Sequence, residues 1–169
     1  MFVLGIDPGL TRCGYGAVEG SGGKVRAVAA GVLSTPKAAP LAHRLAELQA
    51  GVRGLIEELA PDSVAVERIF FQVNARTAMS VGQASGVALA EAAAAGCEVV
   101  QYTPNEVKQA VAGFGAAPKE QVARMVQALL ALSERPCPAD AADALALAVC
   151  HHARAPLRAT IAAAETVIG

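Results

Sequence analysis

The sequence predicts an α/β fold in which a mixed, five-stranded central sheet is flanked by helices. Three strand-like segments come first, separated by short turns, and this order is typical of an antiparallel meander. From residue 41 onward, helical patterns alternate with short apolar segments, which indicates strands that return to the same sheet after each helix. A sheet with both antiparallel and parallel neighbours follows from that order.

The first three strands are predicted from short runs of apolar residues. Phe2–Asp7 is apolar and is followed by Pro8 and Gly9, so we expect a buried strand that ends in a turn. Residues 13–19 and 25–33 are two further candidates, joined by a glycine-containing turn.

The first helix is predicted from leucines and a valine that recur in steps of three and four. Gly51 and Gly54 lie inside this pattern and weaken helix propensity by roughly 1 kcal/mol each, which indicates close packing there. Pro61 ends the helix, and residues 63–67 are predicted to be another buried strand. The apolar face of the helix consists of Leu41, Leu45, Leu48, Val52, Leu55 and Leu59.

The second half of the chain is predicted to alternate helices with one more strand. An alanine-rich helix over residues 74–95 ends at Gly96, a suitable C-cap. The remaining predicted elements are a strand over 98–102 and helices over 105–112, 119–132 and 139 to about 153.

The length of 169 residues is sufficient for one domain with its own core. We expect that domain to span residues 1–155, with 156–169 as a C-terminal tail that is helical or disordered. No basic region precedes the first strand and no apolar run approaches the roughly 20 residues of a membrane span, so a cytoplasmic protein without a membrane partner is expected.

Charge and cysteine content narrow the function classes. The formal net charge of −1 does not by itself indicate nucleic-acid binding, which usually goes with a basic excess. Carboxylates that hold metal ions would, however, account for part of the negative charge. The four cysteines form no CxxC pair, so neither a disulfide framework nor a zinc site is predicted. The adjacent Cys150, His151 and His152 would point in different directions on a helix, and a helix end at the core edge is the simpler interpretation.

Four carboxylates are candidates for one site. Asp7 and Glu67 each end a predicted strand, and the carboxyl ends of neighbouring parallel strands face the crevice where ligands bind. Asp140 and Asp143 are three residues apart near the start of the last predicted helix, so both can project from one face.

Each carboxylate also has a structural explanation. Asp7 could belong only to an Asp-Pro-Gly turn, and Asp140 and Asp143 could only complement a helix N-terminus. Glu67 is harder to explain in this way, because it ends an apolar strand where a glutamate is seldom placed without a partner. The joint pattern favours a shared site.

Convergence of these carboxylates predicts a divalent metal. Like charges in a partly dry cleft repel one another and raise one another's pKa values. Mg²⁺ prefers oxygen ligands, and a pair of ions about 4 Å apart can activate a water and stabilise the leaving oxygen of a phosphodiester. The sequence therefore predicts two Mg²⁺ ions per site, with Mn²⁺ as a substitute and Asp7 as the bridging ligand.

Three ordered segments resemble the signatures of the RuvC family of Holliday junction resolvases. They are Gly5-Ile6-Asp7-Pro8-Gly9, then Val64-Ala65-Val66-Glu67 with Phe70, and Ala139-Asp140-Ala141-Ala142-Asp143-Ala144-Leu145-Ala146. The resemblance covers nearly the whole chain, including Val107-Lys108-Gln109 and the Lys119 region. Ser85 is a departure, because similar proteins often carry arginine there.

The resemblance implies a ribonuclease H-like fold and a homodimer with two active sites. It also implies symmetric nicking of four-way DNA junctions to leave 5′-phosphate and 3′-hydroxyl ends, in cooperation with the branch-migration proteins RuvA and RuvB.

The candidate DNA-binding residues are one aromatic and four basic side chains. Phe70 follows Glu67 and could stack on an unpaired base, although core packing explains many phenylalanines, and Phe71 more readily than Phe70. Most lysines and arginines are only solvated surface, and the resemblance favours phosphate contacts for these. The full set is Phe70, Arg76, Lys108, Lys119 and Arg124.

Two other functions are compatible with parts of the pattern. A nucleotide-binding module of the actin and sugar-kinase type also opens with Asp-x-Gly after a first strand, but that architecture needs two such domains. A junction-binding protein without catalytic activity is the second, and the presence of all four carboxylates argues against it.

Overall fold

The computed structural model describes residues 1–21, 23–69 and 75–168, and these residues form one mixed sheet with helices on both faces. The strands are β1 (Phe2–Asp7), β2 (Arg12–Ser21), β3 (Lys24–Ser34), β4 (Ser63–Glu67) and β5 (Glu98–Tyr102). The helices are α1 (Leu41–Leu59), α2 (Ala75–Ala94), α3 (Pro104–Ala112), α4 (Lys119–Leu129) and α5 (Ala139–Ile168).

The strand order is β3-β2-β1-β4-β5. β1 pairs antiparallel with β2, and β2 with β3, so the predicted meander is confirmed. β1 pairs in parallel with β4, and β4 with β5, which confirms the predicted mixed sheet. The central strand β1 therefore has the meander on one side and the helix-connected strands on the other.

Two hydrophobic cores lie on opposite faces of the sheet because side chains alternate along each strand. Val3 and Ala65 belong to the core under α3, α4 and α5. Leu4 and Val64, each one residue away in sequence, belong to the core under α1 and α2. By the same alternation, Asp7 lies on the α5 face of the sheet, and so does Glu67.

Glycines in the strands let α5 lie directly on the sheet. A Cβ atom on Gly5 would stand 2.0 Å from the carbonyl oxygen of Ala144, and one on Gly14 would stand 2.1 Å from the carbonyl oxygen of Asp140. Real Cβ atoms do not approach so closely, so any larger residue would push the helix away. These glycines fix the distance between α5 and the strands β1 and β2.

Close packing was predicted at both glycines of α1, and the structure shows it at Gly51 but not at Gly54. A Cβ on Gly51 would lie 3.1 Å from Leu33, which is a tight contact with β3. Gly54 has open space around it and is exposed, so no neighbour requires a glycine at that position.

Two helix ends differ clearly from the sequence prediction. α4 ends at Leu129 rather than at residue 132, because Leu130 caps the helix and Ala131 adopts a positive φ of 50°. α5 does not end near residue 153 but continues through Pro156 to Ile168. A proline inside a helix removes one backbone hydrogen bond without always ending the helix. Residues 156–169 were expected to be either helical or disordered, and the described part of this segment is helical.

The alanines of α2 face inward in a regular pattern. Ala84, Ala88 and Ala92 are spaced by four residues, are fully buried and pack in the core shared with α1. Ser85 is also buried. The exposed side of α2 is formed by other residues, including Gly86 and Ala90.

All four cysteines lie in the described part of the chain and none is paired, as predicted. Cys150, His151 and His152 diverge as expected of adjacent helical residues, but they lie within α5 rather than at a helix end. His151 is completely buried and its Nδ1 lies 3.0 Å from the Tyr102 hydroxyl, whereas His152 Nε2 lies 3.2 Å from the carbonyl oxygen of Val18. Among the described helices, none has the length and apolar character needed to cross a membrane.

Candidate metal and phosphodiester site

Asp7 and Glu67 end adjacent parallel strands on the same face of the sheet. The last pair in the β1–β4 register is Ile6 with Val66, so the two carboxylates follow at the next position. Their side chains are close enough for a hydrogen bond between them. The predicted meeting of Asp7 and Glu67 is therefore present in the structure.

The N-terminal part of α5 brings the other two carboxylates toward Asp7. Gly14, the β2 partner of Asp7, is covered by the backbone of Asp140. Asp143 stands one helical turn further along α5 and lines the same pocket as Asp7 and Glu67. The close packing of α5 on the strand glycines is what places these aspartates beside the strand ends.

The carboxylate pocket is small and mixes acidic with basic side chains. It has a volume of about 100 Å³, which suits ions and water rather than a whole nucleotide. Lys108 enters it from α3 and Lys119 from the first residue of α4. The polar side chains that line it are Asp7, Glu67, Asp143, Lys108 and Lys119.

The start of α3 is fixed by a capping box, which helps to position Lys108. The Thr103 hydroxyl accepts a hydrogen bond from the backbone N–H of Glu106 at 3.1 Å. The Glu106 carboxylate in turn accepts one from the backbone N–H of Thr103 at 2.9 Å. Two otherwise unpaired helix donors are satisfied in this way.

Burial and like charge together disfavour ionisation of Asp7. Burial, followed by the charges of Glu67 and Asp143, raises the pKa of Asp7 from 3.8 to about 7, with Lys119 acting in the opposite direction. Burial and then the charge of Asp143 also raise the pKa of Glu67. A bound cation would reverse the balance by favouring the ionised carboxylates.

Two cations hold the aspartates of α5. Lys119 Nζ donates a hydrogen bond to Asp143 Oδ2 at 2.8 Å, which raises the pKa of Lys119. Arg12 contacts Asp140 Oδ2 through Nε at 2.9 Å and Nη2 at 2.8 Å. Asp140 therefore faces Arg12, and it does not line the pocket that contains the other three carboxylates.

The donor set suits a hard divalent cation. Its oxygen ligands come from β1, β4 and α5, and Asp7 is the residue whose pKa responds to the charges of all three others. Within residues 1–21, 23–69 and 75–168, no three acidic, histidine or cysteine side chains stand together as a ready-made metal cluster. Asp140 and Asp143 are instead paired with Arg12 and Lys119, each through one carboxylate oxygen.

The predicted DNA-binding residues divide into three groups. Lys108 and Lys119 lie at the carboxylate pocket, whereas Arg124 is exposed on α4 and does not line that pocket. Phe70 lies outside the described residues. Arg76 belongs to α2, but its side chain is outside the described part of the structure.

Arg12 is a site residue that sequence reasoning missed. Its position at the start of β2 gives no signal by itself, because an arginine after a turn is ordinarily solvated. Gly14 carried a usable signal: a glycine inside a strand often marks close approach of another backbone, and here that backbone belongs to Asp140.

Comparisons with known proteins agree with this geometry. Residues 3–151 match the family model for crossover junction endodeoxyribonuclease RuvC. The protein of that name from Moorella thermoacetica is 57% identical over 158 residues, which cover 94% of this chain and 95% of the relative.

Solved structures give the same result. Thermus thermophilus RuvC in complex with a Holliday junction substrate superposes with a TM-score of 0.88 at 41% identity, over 93% of this chain and 96% of that one. The yeast mitochondrial Holliday junction resolvase Ydc2 shares the fold, with a TM-score of 0.66 at 16% identity over 89% of this chain and 78% of its own.

Proposed function

The chain belongs to the RuvC family of crossover junction endodeoxyribonucleases, and from that membership we propose that it resolves four-way (Holliday) DNA junctions. The reaction is a pair of symmetric nicks made during homologous recombination and DNA repair. The observation that carries this proposal is one pocket in which Asp7, Glu67 and Asp143 meet Lys108 and Lys119. Such a pocket combines ligands for a cation with positive charge for a phosphate.

The residues that would hold the metal are Asp7, Glu67, Asp140 and Asp143, and we propose Mg²⁺, two ions per site, with Mn²⁺ as a substitute. When bound, the ions supply an activated water and stabilise the leaving oxygen of the phosphodiester. Asp7 would be the central ligand of this set, because the charges of the other three carboxylates all act on it. Cleavage leaves 5′-phosphate and 3′-hydroxyl ends.

The lysines of the pocket have two tasks in this proposal. Lys119 neutralises Asp143 when no substrate is present, through the 2.8 Å hydrogen bond between them. If Asp143 were to ligate a cation, the ammonium group of Lys119 would be free to contact a phosphate oxygen. Lys108 faces the same pocket and supplies a second positive charge.

We assign the remaining DNA contacts to Phe70, Arg76 and Arg124. Phe70 would stack on an unpaired base near the cut, and the arginines would contact the backbone. The partners we propose are a second copy of this chain and the branch-migration proteins RuvA and RuvB, and the compartment is the cytoplasm.

A cleavage assay tests the proposed function. Purified protein is incubated with a labelled four-way junction or with linear duplex of the same arms, in Mg²⁺, Mn²⁺ or EDTA. We expect paired nicks at symmetric positions in the junction only when a divalent metal is present, and ligation should restore the nicked products. Equal cutting of linear duplex, or cutting in EDTA, would contradict the proposal.

A further inference from the structure

A second cleft, on the side of the sheet that carries α1 and α2, is lined by cations. It lies between the β1–β2 turn, the connection from β3 to α1, and α2, and its volume is about 370 Å³. Its described lining contains three basic residues and no aspartate or glutamate. The lining consists of Gly9, Leu10, Thr11, Arg12, Lys37, Arg44, Ser80 and Val81.

The guanidinium of Arg44 is held in place by hydroxyl groups. Its Nε donates to Thr35 Oγ1 at 3.0 Å and its Nη2 donates to Thr11 Oγ1 at 2.7 Å. Thr35 is itself buried and donates its hydroxyl to the carbonyl oxygen of Leu10 at 2.5 Å. Arg44 is thus a fixed cation whose hydrogen-bond acceptors are uncharged hydroxyl groups.

Neither Arg44 nor Lys37 has an acidic partner in the described part of the chain. The ion pairs found there involve other cations, including Arg12 with Asp140. Lys37 is exposed at the edge of the cleft. The cleft therefore carries positive charge without an acidic partner, in a protein whose formal net charge is −1.

The cleft and the carboxylate pocket are joined by the turn between β1 and β2. Asp7 lines the pocket, and Gly9, two residues later, lines the cleft. The turn is tight, because a Cβ on Gly9 would stand 2.1 Å from the carbonyl oxygen of Arg12. Arg12 connects the cleft to the carboxylates, since it lines the cleft and its guanidinium contacts Asp140.

We propose that this cleft binds the phosphodiester backbone of the DNA strand that enters the carboxylate pocket, next to the phosphate that is cut. Lys37 and Arg44 contact phosphates directly, and Arg12 marks the boundary between the two sites. The described lining offers cations and no acidic side chain, which suits phosphate contacts, and such contacts carry no sequence information. This inference rests on the proposed function, because it requires junction DNA as the ligand.

Variants at Lys37 and at Arg44 together distinguish a DNA-binding role from a purely structural one. Arg44 also anchors the connection between β3 and α1, so its replacement affects local structure. Lys37 has no described contact of this kind, and a variant at that position should fold normally. Lys24 is the matched control, because it is exposed at the far end of the sheet, at the first residue of β3.

Junction binding measured against salt tests the inference. Fluorescence anisotropy in EDTA follows binding of a labelled four-way junction without cleavage. Lys37→Gln and Arg44→Gln should each weaken affinity about 5- to 10-fold at 0.1 M salt and flatten the slope of log affinity against log salt by about one. Arg44→Lys should retain most of the slope, because the charge remains. Lys24→Gln should bind as the wild type does.

The outcomes distinguish this inference from the proposed function. If wild-type protein binds the junction and both Lys37→Gln and Lys37→Glu bind equally tightly with an unchanged slope, the cleft is rejected and the resolvase proposal stands. If wild-type protein does not bind the junction at all, both fall. A melting temperature for each variant ensures that a loss of binding by Arg44→Gln is read only from folded protein.

Discussion

Asp7 is the carboxylate on which the electrostatics of the site converge. It ends the central strand, faces α5, and shares a hydrogen bond with Glu67. Its pKa of about 7 means that the protein without metal keeps a proton in the site near neutral pH. Metal binding at neutral pH should therefore release protons, and metal affinity should rise with pH through that range.

Removal of the Asp7 charge should stabilise the metal-free protein at high pH. The pKa of Asp7 is raised on folding from 3.8 to about 7, so the folded state binds the proton more tightly than the unfolded state. Stability from this group is thus present below pH 4 and is lost as pH rises to 7. In EDTA at pH 8, Asp7→Asn should exceed the wild type by at least about 1 kcal/mol in free energy of unfolding.

Urea denaturation at several pH values checks this prediction. The difference between variant and wild type should shrink as pH falls toward 3, where Asp7 is mostly protonated in both states. Glu58→Gln, at an exposed carboxylate of α1, is the control and should show no such trend. A less stable Asp7→Asn variant at pH 8 would contradict the electrostatic account.

Lys119 should contribute to DNA affinity through its charge. Lys119→Ala is expected to weaken junction binding and to flatten the salt slope by about one, because one phosphate contact is lost. Arg26→Ala is a control, because Arg26 pairs with Glu19 on the β2–β3 hairpin. Anisotropy titrations across salt concentrations measure the affinity and its salt slope. An unchanged slope would show that Lys119 does not contact a phosphate.

At the scale of elements, the sequence predicts the order of strands and helices well. Apolar periodicity is local, so β1, α1 and β4 could be located from their own residues. Helix ends were harder to predict: α5 continues through Pro156, and α4 stops early at a positive φ on Ala131. Such ends depend on capping and on neighbouring elements, which periodicity does not report.

The close packing of α5 on the sheet can be tested by replacing two glycines with alanine, one at a tight contact and one in open space. Gly5→Ala should destabilise the fold by at least about 1–3 kcal/mol, since its Cβ would stand 2.0 Å from the backbone of Ala144. Gly54→Ala, in open space on α1, should instead stabilise the protein by about 0.5–1 kcal/mol. Thermal unfolding measures both. Equal effects of the two substitutions would contradict the close-packing account.

At the scale of the whole molecule, the parts of the site that follow from topology were predictable. Parallel pairing of β1 with β4 brings Asp7 and Glu67 together, and strand order alone suggests this. The contact between Arg12 and Asp140 was not predictable, because it joins residues 128 positions apart through the packing of α5. The roles of these residues in catalysis remain predictions.

The proposed dimer should depend on the exposed side of α2. A four-way junction has two equivalent strands to cut, which favours a two-fold arrangement of sites. Ala88 is fully buried, so Ala88→Glu would test folding and not the dimer. Ala90→Glu, on an exposed residue beside a groove with α1, should shift the sedimenting species from twice the chain mass toward the monomer.

Analytical ultracentrifugation at micromolar concentration checks the dimer. Ala128→Glu, at an exposed alanine of α4, is the matched control and should leave the mass unchanged. A wild-type protein that sediments as a monomer and still nicks both strands symmetrically would refute this account of how the two cuts are paired.

We propose that a metal held by the carboxylates carries out strand cleavage, while other residues bind the junction. The most direct measurement compares junction binding with single-turnover cleavage for Asp7→Asn and wild type in Mg²⁺. The account predicts nearly unchanged affinity and a cleavage rate lower by about 10³, or roughly 4 kcal/mol of transition-state stabilisation. Cleavage by Asp7→Asn at the wild-type rate would contradict it.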